Sequence, residues 1–378
     1  MENKEALLVL NAIENLEPRV LIQLMHRFGG AAEILIQSRE TLRALVGATL
    51  AEKITGWEKY FDLAKELREC KRRSIAWIDW NDDSYPEGLR QIPQPPPVLY
   101  FQGTFDKKDA HSLGIVGSRQ SSRYGVEVAR KLACELAGNG FTVVSGLARG
   151  IDTAAHEGAL EALGGRGRTV AVIGSGFADP YPHENIPMLG RIAERGLVLS
   201  EFPLHRPPLA RNFPRRNRII SGMSLGIVVV EAAKRSGSLI TASHALEQGR
   251  AVFAVPGRLD SESSDGANAL IQQGAKLIFS AADIVEDLQY LLPPKIVKQV
   301  REKKTAPGPF AQENPMLTKS QQAILNALEV QPIEIEEIIK LTRLSAPEVA
   351  GGLLVLEMQG MARQFPGKQF AKASLQRA

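Results

Sequence analysis

Cysteine is nearly missing from this 378-residue chain: only Cys70 and Cys134 occur, far apart and without a second cysteine or a histidine at ligand spacing. Neither a disulfide framework nor a metal site is indicated, and both read as small apolar core residues. Long apolar runs are also missing, since none approaches the ~20 residues a membrane span needs. The opening segment MENKEALLVLNAIENL flanks its apolar stretch with acids and lacks a small-residue cleavage site. The chain is therefore expected in the cytoplasm, with no membrane partner. Charge of one sign is scarce too: 46 Lys and Arg against 42 Asp and Glu leave +4, which says little unless the basic residues gather in one place. With 44% apolar and 23% charged residues, collagen, rod and wholly disordered chains are excluded. At roughly 150 residues per domain the length suggests two or three.

Residues 1–80 read as a small helical domain. An apolar repeat through Leu7, Leu8, Leu10 and Ile13 resumes in Val20, Leu21, Leu24, Met25 and Phe28 and stops at Gly29 and Gly30. Ser38 is placed to cap a further helix that breaks at Gly47 and restarts near Thr49. Helix, Gly turn and helix also describe a hairpin that grips phosphates, but packing turns are the simpler reading. Between Trp80 and Phe105, Pro86, Pro93, Pro95, Pro96 and Pro97 forbid continuous helix, leaving a linker or an edge strand at Val98–Phe101.

Over residues 81–291 short β-branched runs alternate with amphipathic segments such as Tyr124–Ala137 and Ile240–Gln248. The strands fall at Leu113–Val116, Thr142–Ser145, Val170–Ile173, Leu197–Ser200, Ile227–Val230 and Ala251–Val255, a pattern that predicts an α/β fold with a doubly wound parallel sheet. Residues 292–316, basic at first and dotted with proline, read as a mobile linker. Residues 317–378 hold three helices, Ser320–Leu328, Ile333–Leu341 and Ser345–Gln359, and a hairpin around Pro366 and Gly367, the composition of a winged helix.

Gly-containing loops follow the strands at Gly117-Ser118-Arg119, at Gly146 to Gly150, at Gly174-Ser175-Gly176 and at Ser236-Gly237-Ser238. In an open parallel sheet these loops share one crevice, where backbone amides can approach an anion. No GxGxxG opens the first helix and no GxxxxGK[ST] occurs, so neither a dinucleotide cofactor nor P-loop hydrolysis is supported, and no cofactor is expected. From Phe202 through Val230 there is no acidic residue, while Arg206, Arg211, Arg215, Arg216 and Arg218 fall in that window beside Phe213. Arginines without counter-charges imply an external anion; the alternative is a solvated loop, or pairing with acids from elsewhere. Arg119, Arg123, Arg149, Lys234 and Arg235 extend the patch beyond a mononucleotide, toward a polymer backbone. Phe213, Phe177 and Tyr124 could stack unpaired bases, although each alone is ordinary core material.

Acid–base candidates in the same crevice are Asp152, His156, Glu201, Glu231 and Glu247, but none forms a recognisable catalytic spacing. No GxSxG, HExxH or CxxC occurs. The third helix of the terminal domain carries Glu348 and Glu357 with no Lys or Arg. It is a poor groove reader. Its basic residues lie at the hairpin, Arg363, Lys368 and Lys372, which favours protein contact.

The ordered segments GIVGSRQSSRYG (114–125), VVSGLARGIDTAAHEGAL (143–160), TVAVIGSG (169–176), SEFP (200–203), FPRRNRIISGMS (213–224), EAAKRSGSLITASHALEQGR (231–250), VFAVPG (252–257) and GANALIQQGAKLI (266–278) closely resemble the DNA-processing protein A family, DprA or Smf. The resemblance implies a Rossmann-like domain flanked by a helical N-terminus like a sterile alpha motif and by a winged helix. It implies a non-catalytic protein that binds single-stranded DNA entering the cell in natural transformation, protects it and loads the RecA recombinase onto it. It implies, too, a homodimer joined through the Rossmann-like domains, with the RecA contact around residues 266–290. Carried over by motif, the DNA pocket falls on Gly117, Ser118 and Arg119, on Gly146 and Gly150, on Phe213, Arg216, Asn217 and Arg218, and on Ser236, Gly237 and Ser238. Arg149, Arg215 and Lys234 join that set from the charge distribution. Two rival readings remain from the residues alone: a nucleotide-processing enzyme, and a transcription regulator working through the winged helix.

Overall fold

The computed structural model describes residues 1–165, 167–304, 317–329, 331–358, 361–365, 367 and 369–372, without the side chains of 163–165, 301–304 and 358. The chain divides into two compact units, Met1–Ala306 and Pro307–Ala378. Among the described residues the first is built on a nine-stranded sheet in the order β1 (Ala76–Asp79), β2 (Val98–Gly103), β6 (Leu197–Ser200), β5 (Arg168–Val172), β4 (Thr142–Ser145), β3 (Ser112–Val116), β7 (Gly226–Val229), β8 (Ala251–Ala254) and β9 (Lys276–Leu277). The strands from β6 to β9 pair in parallel, while β2 runs antiparallel to both β1 and β6.

Every strand expected from the β-branched runs is present, because a parallel strand covered on both faces has to be apolar throughout. Leu113, Ile115, Val143 and Val228 face the helices Arg123–Gly138, Ile151–Gly165 and Ala281–Leu288. Val116, Val144, Val172 and Val229 face the helices Asn212–Gly222 and Gly237–Glu247 on the other side. The proline-rich stretch is neither a free linker nor an outermost strand: it connects β1 to β2, and β2 lies inside the sheet with Tyr100 fully buried. The hairpin therefore straddles the domain boundary expected at residue 80.

The N-terminal helices Asn3–Ala12, Pro18–Phe28 and Arg39–Thr55 share a core with Val98, Tyr100 and Leu204. Ser38 Oγ accepts from the Thr41 amide at 3.2 Å, and the helix it caps is interrupted at Gly47, whose φ of 82° suits glycine. At the other end, the expected linker begins as a helix, Pro294–Lys304. Val300 is buried and Ile296 and Val297 pack against the sheet's helical layer, so an apolar stripe the composition concealed holds this segment down. Residues 305–316 of that linker lie outside the described residues.

In the second unit the helices Lys319–Ala327, Ile335–Thr342 and Ala346–Met358 enclose Ile324, Ile338, Val349, Leu353 and Leu356. A three-stranded antiparallel sheet, β10 (Ile333–Glu334), β12 (Gln369–Lys372) and β11 (Ala362–Phe365), completes a winged helix. Lys368 lies outside the described residues. Among the described residues no helix is long and apolar enough to cross a membrane.

Candidate nucleic-acid interface

After β3 the chain continues to one side of the sheet through β4, β5 and β6, and later returns to the other side through β7 and β8. The loops leaving β3 and β7 therefore part in opposite directions and open a crevice at the strand ends. Its volume is about 800 Å³. Of the residues singled out in the sequence, Gly117, Ser118, Arg119, Phe213, Arg216, Asn217, Ser236, Gly237 and Ser238 line it together. Gly146, Arg149, Gly150, Arg215, Arg218 and Lys234 do not.

The loops are tied to one another more than they are open to an anion. Asp152 Oδ2 accepts from the amides of Gly146 at 3.1 Å and Ala148 at 3.3 Å, so a carboxylate of the chain already sits where amide donors were expected to meet a ligand. Ser118 N–H donates to the Glu231 carbonyl at 2.7 Å. Glycine is needed here for close approach. A Cβ on Gly146 would lie 2.5 Å from Arg216 Nη2, and one on Gly150, whose φ is +75°, would collide with Ser118 O and lie 2.9 Å from Ser121 Oγ.

The arginines of the acid-free window have partners after all. Arg218 Nη1 and Nη2 donate to Glu201 Oε1 at 3.1 Å and Oε2 at 2.8 Å, with both side chains buried, and Arg215 reaches the same carboxylate at 2.8 Å. Arg206 and Arg211 turn to Glu14 of the helical N-terminus. Outside the window, Arg149 forms a two-pronged pair with Glu184, and Lys234 lies 3.4 Å from Asp265. Glu201 precedes the window by one residue and Glu14 lies far upstream, which is why the segment alone looked uncompensated.

Two arginines differ. Arg216, 3% exposed on the crevice wall, donates through Nη1 to the carbonyls of Gly146 (2.6 Å) and Val172 and through Nε to Asn217 Oδ1 at 3.2 Å. Its contacts are neutral oxygens, and burial pulls its pKa to about 10 against the opposing influence of Asp152. Arg119 is exposed and, among the described residues, forms no ion pair within 4.0 Å; its guanidinium carbon lies 5.2 Å from the Phe213 ring centroid.

Phe213 in turn meets Tyr181 edge-to-face, with centroids 5.9 Å apart, and the Arg149 guanidinium lies 6.0 Å from the Tyr181 ring. Two rings, Phe213 and Tyr181, thus lie between two cations, with Arg119 on the crevice wall beside them and Arg149 behind it. Tyr181 lines the crevice but was not singled out in the sequence; its signal was the Tyr-Pro pair closing the loop that begins at Gly174. Phe177 instead packs into the core beneath the N-terminal helices, and half-exposed Tyr124 lies off the crevice.

The acid–base candidates are mostly committed to structure. Glu231 accepts from Ser122 N at 2.8 Å and Oγ at 2.5 Å, holding the start of helix Arg123–Gly138, and Glu201 holds the two arginines. Glu247 is exposed beside His244. Asp152 does line the crevice, with its carboxyl raised above the usual range by burial. His156 is fully buried, its Nδ1 2.7 Å from Thr169 Oγ1, and burial with the nearby Arg216 lowers its pKa to about 3. Among the described residues no group of three His, Cys, Asp or Glu could hold a metal ion.

A sequence profile described as DNA recombination-mediator protein A matches residues 76–289, and one described as DprA winged helix domain matches 308–368. Protein Smf of Synechocystis sp. is 34% identical over 353 residues, covering 86% of this chain and 87% of that protein. DNA processing protein DprA of Bacillus subtilis is 44% identical over 230 residues, covering 61% of this chain and 76% of that protein. Among solved structures, DNA processing protein A from Streptococcus pneumoniae superposes with a TM-score of 0.66 at 34% identity, covering 76% of this chain and 98% of the other. The Helicobacter pylori protein, described for its single-stranded DNA binding mode, gives 0.50 at 30% identity, covering 57% and 96%.

Proposed function

The chain belongs to the DNA recombination-mediator protein A family, the DprA and Smf proteins, and on that premise we propose that its crevice holds single-stranded DNA without catalysing a reaction on it. The observation that carries this reading is the crevice wall itself. A buried guanidinium with only neutral oxygens as hydrogen-bond partners, an exposed Arg119 and the ring pair Phe213 and Tyr181 meet in one groove. Cations along a backbone track with rings for the bases are what a sequence-tolerant single-strand binder needs, whereas a duplex keeps its bases stacked inside. The similarity to a Helicobacter pylori protein described for single-stranded DNA binding supports the same ligand.

In the cytoplasm of a cell taking up DNA, such a protein would shield the incoming strand and load the RecA recombinase onto it. A homodimer fits the open edge of the sheet. Strand β9 has no neighbour beyond it among the described residues, and Leu277, Phe279, Tyr290 and Leu291 are exposed along this end of the unit. We place the RecA contact beside it, within residues 266–290. The winged helix is assigned to protein contact, since its third helix exposes Glu348 and Leu354 and carries no cation.

The test is binding of a labelled strand of roughly 20 nucleotides and of the matching duplex across a salt series. Strong single-strand preference, abolished by Arg119→Ala with Phe213→Leu, is the expected result. Equal affinity for both forms, or none for either, would overturn it. The enzymatic alternative rests on Asp152, the acid in the crevice, and predicts release of base or phosphate from a nucleoside monophosphate.

A further inference from the structure

We propose that the seam between the helical N-terminus and the crevice is a second phosphodiester site, filled in this structure by the carboxylate of Glu14. The inference rests on the single-strand reading and extends the strand's path. Three cations converge on this one acid. Arg206 Nη1 pairs with Glu14 Oε1, Arg211 Nη2 lies 3.3 Å from the same oxygen, and Lys53 Nζ lies 3.8 Å from Oε2. Glu14 is the one carboxylate these three cations reach, and the other acid lining the seam, the exposed Glu17, forms no ion pair with them among the described residues, so the cluster keeps positive charge for a further anion; a phosphate offers the same forked acceptor geometry as a carboxylate. The two clefts adjoin: the seam, a cavity of about 430 Å³ lined by Glu14, Arg206, Arg211 and Arg215, meets the crevice at Pro214, which lines both. A polymer is longer than the crevice and has to leave it, and Pro214 marks an exit that leads directly to these cations.

The seam is built so that Glu14 can yield its place without the domains separating. Arg206 Nη2 also donates to the Ala12 carbonyl at 2.9 Å, and Asn11 Nδ2 donates to the Glu201 carbonyl at 2.9 Å. These bonds hold the loop around Asn11–Asn15 against the loop around Glu201–Arg206 whatever the Glu14 side chain does. Glu14 is 40% exposed and Arg211 64% exposed, so that pair contributes little net stability, and the more buried Arg206 keeps its bond to the Ala12 carbonyl when the carboxylate leaves. Exchanging the carboxylate for a phosphate is then nearly neutral for the fold and favourable for the strand. Glu14 acts as a resident competitor that keeps the outer track shut to weakly held anions.

The experiment compares a strand of about 4 nucleotides, the short end of single-strand site sizes, with one of roughly 20, which has to run past Pro214, by fluorescence anisotropy across a salt series. Glu14→Gln is expected to tighten the longer strand about fivefold and leave the shorter one unchanged. Arg211→Glu is expected to weaken the longer strand about tenfold and to flatten its salt slope by about 0.7, the share of one phosphate. Arg211 is exposed, so its replacement reads charge rather than folding, and thermal melts confirm that both variants are folded. Equal shifts for both lengths, or no shift in either variant, would overturn the second site while the crevice stands. A wild-type chain that binds neither strand would overturn the crevice reading and this inference with it.

Discussion

The two sides of the helix Asn212–Gly222 handle positive charge in opposite ways. On one side Arg215 and Arg218 close on Glu201, a carboxylate with no side-chain exposure. On the other Arg216 is equally buried but rests on carbonyl oxygens and on Asn217. The first arrangement is a finished ion pair that fastens the helix to the end of β6. The second has no carboxylate hydrogen-bonded to it among the described residues, only the nearby charge of Asp152, and lines the crevice. Neighbouring residues of one motif thus divide into a fastening part and the part to which the proposed function assigns the strand, and arginine count alone does not separate them.

Glu201→Ala breaks the fastening side most severely. It strands Arg218, whose Nε has no partner among the described residues even in the intact protein, and a buried charge left alone costs about 3–5 kcal/mol. Denaturant unfolding should show that loss, while strand affinity measured on the remaining folded protein changes little. Arg216→Met should do the reverse. It removes charge-assisted contact worth about 1.5–3 kcal/mol of strand binding, with a smaller change in unfolding; a loss of stability rivalling that of Glu201→Ala would erase the distinction between the two sides. Tyr181→Leu sharpens the contrast between cation and ring. Stacking is worth about 1–3 kcal/mol per base, so affinity should fall without change in salt slope, and the loss should vanish on an abasic strand.

His156 offers a pH test of the buried floor. Thr169 Oγ1 donates to the Val143 carbonyl at 2.7 Å, so His156 Nδ1 is the donor to Thr169 and Nε2, which has no partner among the described residues, is the bare nitrogen of a neutral ring. A pKa lowered to about 3 against 6.5 for the unfolded chain means that the unfolded state binds the extra proton as pH falls. This contribution is full above pH ~6.5 and is lost on descending toward pH ~3, about 1 kcal/mol between pH 7 and pH 5.5. His156→Asn should flatten that part of the stability curve. The smallest effect is expected for Arg149→Ala, whose exposed pair with Glu184 contributes little net stability, so that denaturant unfolding should change least of all.

The central sheet was legible because covered parallel strands need unbroken apolar runs, as in Gly226-Ile227-Val228-Val229. Strand β1 escaped notice because Ala76-Trp77-Ile78-Asp79 has too little pattern of its own and gains its identity from pairing with β2, and β9 is only two residues long. The crevice loops were legible as Gly-rich turns after strands. Their internal use was not, since Asp152 folds back onto Gly146 and Ala148 by a geometry no spacing announces. The Glu14 partner could not be read either, since it meets Arg206 across 192 positions of sequence. The ordered motifs, by contrast, pointed to the family before any geometry was known.

The Asp152 carboxylate that occupies the amides of Gly146 and Ala148 also bears on which solutes the crevice ignores. A small anion such as inorganic phosphate finds those donors already taken and a like charge beside them, so its single point of attachment is poor. A polyanion touching Arg216, Arg119 and the ring wall at once gains from linked contacts, each raising the local concentration of the next. Under the proposed function, selectivity for a polymer over the abundant small phosphates of a cell would come from avidity, with Asp152 setting the threshold a ligand has to exceed.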